Sequence, residues 1–263
     1  MLNNIMIGSY FPVKSKIHFM NPVVKLLCTV VFIVLAFICR NIKLLLLISF
    51  VAVLMVEMSH LPRRIYIKTF KSLRVLILFV AVIYYFIGSD LESILSMILK
   101  LYIIVLYSTV LTLTTPPNDI AYALEKVMSP LKLLFIPVNK IAMSISLALR
   151  FIPTILEQGS KILKSEASRG VDYYNSNISG KIVAIKSMII PMFILTVRRA
   201  DNLAEAMQVR LFNINKKRTN FRVRRIDFFD IFMMLIHFGI LALILYKDGT
   251  LYELYKIFNK IFL

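Results

Sequence analysis

Acidic residues are scarce in this chain: 14 Asp and Glu stand against 32 Lys and Arg. No Asp, Glu or His pair sits mid-span, since Glu57 is at a helix end and His237 is alone in the middle of the last span. Proton-coupled transport and intramembrane hydrolysis both lose their usual carriers. The three histidines, His18, His60 and His237, show neither HExxH nor Cys/His ligand spacing, so no metal site is expected. The nearest approach to a phosphate-binding loop is Gly180-Lys181. There Asn175 replaces the first glycine and Ile182 the hydroxyl residue, so nucleotide hydrolysis by that motif is excluded, and no cofactor is expected. The two cysteines, Cys28 and Cys39, lie in one apolar run about 16 Å apart along a helix and cannot pair within it. They read as small packing or lipid-facing residues. No small-residue cleavage site interrupts the run from Val23 to Arg40, which is therefore expected to be retained as a first membrane span.

What the chain has instead is apolar length. Hydrophobic residues make up 59% of it, and its mean hydropathy is +0.79, more than a soluble globule tolerates. A net charge of +18 would point to nucleic acid if the cations shared a soluble surface. Here they cluster between apolar runs, the pattern of positive cytoplasmic loops against a lipid bilayer, and no nucleic-acid partner is expected. The chain reads as an all-α, multi-pass membrane protein of the cell membrane.

Val23 to Cys39 and Leu44 to Val56 are short apolar runs joined by Arg40-Asn41-Ile42-Lys43, and Val75 to Gly88 and Ile94 to Thr114 follow. Arg63, Arg64, Lys68, Lys71 and Arg74, after Pro62, form a basic connection that the positive-inside rule places in the cytoplasm. The N-terminus then starts inside, and so does the chain after Thr115. Asn118 is expected to cap a short amphipathic helix through Met128. A last span, Phe228 to Tyr246, follows the basic stretch Lys216 to Arg225, and Leu251 to Leu263 is patterned to lie at an interface. The expected parts are a membrane domain of four spans over 1–115, amphipathic coupling helices over 116–226, and a last span with an interfacial segment over 227–263. That makes about five transmembrane helices.

Within the middle part, Val138, Ile141, Ala142, Ile145, Leu149, Ile152, Leu156, Gly159 and Leu163 recur at three and four residues, one stripe of a long helix. Pro153 is expected to kink it and Gly170 to stop it. A second segment repeats the layout: Ile182 to Val197 with Pro191, then Arg198-Arg-Ala-Asp201, ending near Arg210. Arg150 and Arg199 are charged scaffold positions on these helices. Arg198, Arg199, Asp201 and Glu205 read as a solvated face of i,i+3 and i,i+4 pairs. Each segment puts one arginine, Arg169 or Arg210, at the polar end of an apolar helix. There a planar guanidinium can bond carboxylates or carbonyls of a partner. The alternative treats 141–156 and 182–197 as further spans of a stand-alone permease. Each would hold a charge, Arg150 or Lys186, in about 16 residues, which spans poorly.

Several stretches together resemble the transmembrane T component of energy-coupling factor transporters: Asn21-Pro-Val-Val-Lys-Leu26, Leu111-Thr-Leu-Thr-Thr115, Ala123-Leu-Glu-Lys-Val-Met-Ser-Pro-Leu-Lys132, Leu147-Ala-Leu-Arg-Phe-Ile-Pro-Thr154 and Arg198-Arg-Ala-Asp201. The family's marker is a pair of Ala-Arg-Gly motifs at the ends of two cytoplasmic coupling helices. Here they read Ser168-Arg169-Gly170 and Val209-Arg210-Leu211, so both arginines are kept and the second motif loses its alanine and its glycine. The resemblance implies a non-catalytic subunit joining two ABC-type ATPases to a substrate-binding S component for vitamin or micronutrient uptake. It implies that these six residues couple to the ATPases.

Overall fold

A computed structural model describes residues 10–39, 41–88, 90–134, 137–170, 177–213 and 224–247. Residues 171–176, most of the basic stretch 216–225 and the segment Leu251 to Leu263 lie outside the described residues. Every regular element within them is helical. In order these are α1 (Lys16–Phe19), α2 (Pro22–Ile38), α3 (Ile42–Met58), α4 (Arg63–Phe86), α5 (Leu91–Thr114), α6 (Pro117–Val127), a 3₁₀ segment (Ser129–Leu134), α7 (Val138–Ser168), α8 (Ile178–Val209) and α9 (Phe228–Lys247).

The chain divides into two compact units. One comprises Gly8–Val127 and Arg222–Leu263, and the other comprises Met1–Ile7 and Met128–Phe221.

In the first unit α2 is the central helix, packed on α5, α6 and α9, while α3 and α4 pack on α5. Its sequence explains the choice. Val24, Cys28, Phe32, Leu35 and Cys39 recur at three and four residues and are all buried, so one face of α2 is continuously apolar. Both cysteines are thus packing residues of the core. Asn21 and Asn41 cap α2 and α3, each side chain accepting the N–H two residues on, from Val23 at 2.9 Å and Lys43 at 3.0 Å.

Three readings of the sequence shift. The five cations from Arg63 to Arg74 are not in a connection: α4 begins at Arg63 and runs unbroken to Phe86. Proline at 62 ends the preceding turn and none follows to stop a helix, so the basic residues form its first three turns. The cap of α6 is two residues earlier than expected, at Pro116. Pro117 occupies the first helical position and the Pro116 carbonyl accepts from Asp119 and Ile120, leaving Asn118 inside the first turn. Finally, α4, α5, α7 and α9 are long and apolar enough to cross a membrane. The 17-residue α2 and α3 cover only about 25 Å each.

In the second unit α7 and α8 pack on each other. Along the expected stripe of α7 only Val138 and Gly159 are buried, and Ile141, Ile145 and Ile152 remain exposed.

Candidate functional site

Two helix ends carry the arginines singled out by the sequence. In α7 the helix closes at Ser168, and Arg169 is its C-cap. The Arg169 N–H donates to the Glu166 carbonyl at 3.0 Å, and the Gly170 N–H donates to Ala167 at 3.1 Å. Gly170 is left-handed with φ +88 and has nothing within 4 Å of a would-be Cβ. The backbone conformation, not space, is what requires glycine here.

In α8 the helix closes at Val209, and Arg210 is its C-cap. The Leu211 N–H donates to Gln208 at 2.9 Å and the Phe212 N–H to Met207 at 2.9 Å. This pair of bonds is the Schellman closure. Leu211 takes the left-handed conformation with φ 51. The two arginines therefore occupy equivalent places, each the last residue before a left-handed turn. The second helix reaches that turn without glycine, at a cost of roughly 1–2 kcal/mol for a side chain in this conformation.

Their surroundings differ. Arg169 Nη1 donates to Glu166 Oε1 at 2.9 Å, one helical turn back. Arg210 is exposed and makes no ion pair among the described residues. Val209 and Leu211 beside it are 84% and 90% exposed. Ser168 turns its hydroxyl back to the Lys164 carbonyl at 3.0 Å. The α8 tip thus presents two bare aliphatic side chains around a cation, whereas the α7 tip presents a cation held by its own helix. Both cations sit at the negative end of a helix dipole, where positive charge is favoured.

Behind the tips α7 and α8 touch at a small-residue notch. Gly159 is buried, and a Cβ there would lie 3.3 Å from Met192 Sδ. Pro153 and Pro191 lie inside the two helices, each removing one backbone donor. Arg150 is exposed. Arg199 departs from the solvated face expected of it: it is half-buried, with Nη1 fully enclosed and without a partner among the described residues, as is Gln158 Oε1.

A second polar group of residues escaped the sequence reading. Lys25, 2% exposed, donates from Nζ to Thr115 Oγ1 at 3.0 Å, Thr114 Oγ1 at 3.2 Å and the Thr114 carbonyl at 3.4 Å. This satisfies its three donors at the end of α5. Asp230, 1% exposed, accepts from the Asp227 N–H at 3.0 Å and the Asn21 N–H at 3.3 Å. Asn21 Nδ2 donates to the Arg224 carbonyl at 2.7 Å, and the Arg224 guanidinium donates to the His18 carbonyl.

The His18 ring is held between Ser15 Oγ at 2.7 Å and the Phe11 carbonyl at 3.0 Å. Burial holds its pKa below the usual histidine value, helped by the charges of Lys25 and Arg224 and opposed by the Phe11 hydrogen bond. The signals were present: a lysine and an aspartate, each the third residue of an apolar run. Nothing in their spacing revealed that positions about two hundred residues apart meet. His237 likewise is not alone. It bonds Tyr107 Oη at 2.8 Å and the Met233 carbonyl at 2.8 Å, a satisfied core histidine pinning α9 to α5.

Comparison with known proteins places these features in company. The CbiQ family model, described as "Cobalt transport protein", matches residues 13–221. The "Energy-coupling factor transporter transmembrane protein EcfT" of Limosilactobacillus fermentum is 34% identical over 238 residues, covering 84% of this chain and 89% of that protein. The protein of the same name from Ruminiclostridium cellulolyticum is 30% identical over 246 residues, covering 88% and 92%. That from Staphylococcus aureus is 30% identical with coverage of 95% and 100%.

Proposed function

The chain belongs to the CbiQ family as an EcfT-like transmembrane component of an energy-coupling factor transporter, and from that premise we propose that it transmits ATP-driven movement from two cytoplasmic ABC-type ATPases to a substrate-binding membrane subunit. The ATPase chemistry resides in the partners, and this chain is a non-catalytic coupler for uptake of a vitamin or other micronutrient. In this reading 1–115 is the four-span membrane domain with its N-terminus in the cytoplasm, 116–226 carries the coupling helices, 227–263 holds the last span and an interfacial segment, and both helix tips face the cytoplasm.

One observation carries the proposal: Arg169 and Arg210 occupy the same C-cap position, each followed by a left-handed residue, Gly170 or Leu211. Two helices built to the same ending suit two ATPases of the same kind. Ser168 and Val209, the residues before the arginines, complete the tips. Pro153, Pro191, Arg150 and Arg199 shape the helices behind them.

A stand-alone permease remains the competing reading because α7 is long and apolar enough to cross a membrane. It separates cleanly in topology. Coupling puts positions 169 and 210 on one cytoplasmic side; a permease in which both 141–156 and 182–197 span puts them on opposite sides. Single cysteines at these positions, in a background lacking Cys28 and Cys39, should be labelled only after the membrane is opened. Labelling of position 169 from outside intact cells would overturn the proposal. The whole assembly should co-purify with two nucleotide-hydrolysing subunits. Arg169→Ala with Arg210→Ala should lower coupled uptake by about tenfold or more, the scale of lost interface arginines.

A further inference from the structure

We propose that the exposed face of α4 is a binding site for the headgroups of anionic phospholipids. Arg63, Arg64, Lys68, Lys71 and Arg74 are all exposed, and at 3.6 residues per turn they fall within about 140° of arc. Beside that arc the helix is anchored to the fold: Tyr66 is buried and shares a hydrogen bond with Ser59 Oγ at 3.0 Å, and Phe70, 45% exposed, meets Tyr102 of α5 edge-on at 4.4 Å. The helix contains no acidic residue. The ion pair on the stripe, Arg63 to Glu57 at 3.2 Å, is solvent-exposed on both sides, so it neutralises little.

The cations also stand where a helix tolerates them least. They occupy the N-terminal turns, whose dipole is positive, behind a proline cap that gives no side-chain hydrogen bond. Like charges crowd a positive helix end, and among the described residues only the exposed Arg63–Glu57 pair offsets them. Phosphate oxygens would relieve both repulsions, and arginine binds them bidentately.

The next three turns decide which anion it is. Val75, Leu78, Phe79, Val82, Tyr85 and Phe86 continue along the same arc and are exposed. The surface therefore passes from cationic to apolar within one helix face, matching a ligand with an anionic head and hydrocarbon tails. An acidic protein would match only its first half. Length agrees. The apolar part from Val75 to Phe86 spans about 18 Å against a hydrocarbon thickness of about 30 Å. Lys71 and Arg74 must then reach back to the phosphate level, as long basic side chains do. This assignment needs only the membrane location of the chain and stands apart from the coupling reading.

The test uses the full chain in phosphatidylcholine vesicles carrying trace spin-labelled phosphatidylglycerol or phosphatidylcholine, reading the motionally restricted fraction of each label. The wild type should prefer phosphatidylglycerol several-fold, and the preference should shrink with added salt. Arg64→Gln, Lys68→Gln, Lys71→Gln and Arg74→Gln together should bring it near unity. Lys68→Gln or Lys71→Gln alone, each at an exposed site, should lower it part of the way towards unity. A charge-matched control, Lys126→Gln, Lys132→Gln, Lys140→Gln and Lys161→Gln, should leave it in place. No preference in the wild type, an unchanged preference in the stripe variants, or an equal loss in the control overturns the proposal. So does an unchanged lipid preference accompanied by loss of an acidic soluble subunit from the assembly, which would assign the stripe to a protein.

Discussion

At Leu211 a branched side chain sits in the left-handed region at φ 51, while its counterpart Gly170 reaches φ 88 with no side chain at all. Replacing Leu211 by glycine should therefore stabilise the α8 end by about 1 kcal/mol, and Gly170→Ala should destabilise the α7 end by a similar amount. Thermal unfolding of the detergent-solubilised chain, with helicity as the signal, measures both. The left-handed stop of α7 was legible from Gly170 alone. That of α8 was not, because leucine carries no local signal for it and only the two Schellman bonds to Gln208 and Met207 reveal the turn.

His18 gives a pH dependence with a definite sign. Its folded pKa lies below the ordinary 6.5, so the unfolded chain takes up a proton first as pH falls. Stability from this group is full above about 6.5 and is lost as pH falls from there through the folded value. Denaturant titrations from about pH 7.5 to 5.5 should show a downward slope, and His18→Asn should flatten it.

Among elements, the contact of α7 with α8 turns on Gly159. A methyl group there would press on the thioether sulfur of Met192 at 3.3 Å, the far part of a flexible side chain that can yield. Gly159→Ala should thus be neutral or stabilising by up to about 1 kcal/mol, since alanine favours the helix. Gly159→Phe should separate the pair, with loss of the coupled assembly on size exclusion. Helix extents for α2, α5, α7, α8 and α9 were readable to within a few residues, because apolar runs and periodicity mark them. The start of α4 was not. Five cations in twelve residues resemble a loop in a linear sequence, and only their confinement to one arc shows them to be one side of a helix.

For the molecule as a whole, the membrane class followed from hydropathy, and the family from motifs spread along most of the chain. The stripe of α7 leaves Ile141, Ile145 and Ile152 exposed among the described residues, as suits a component of a larger assembly: periodicity forecast an apolar face but not what covers it. What periodicity does not encode is pairing between distant positions, and the buried polar residues of the first unit depend on it. Lys25 finds its acceptors at Thr114 and Thr115; Asn21 finds Arg224 and Asp230.

Those bonds impose an order on biosynthesis. A ribosome delivers Asn21 and Lys25 to the membrane long before their partners exist. Lys25 waits for the end of α5, and Asn21 waits for the start of α9, the last helix of the described chain. The seat of α2 therefore stays open until α9 arrives, and any chain broken off before Phe228 leaves it unfilled.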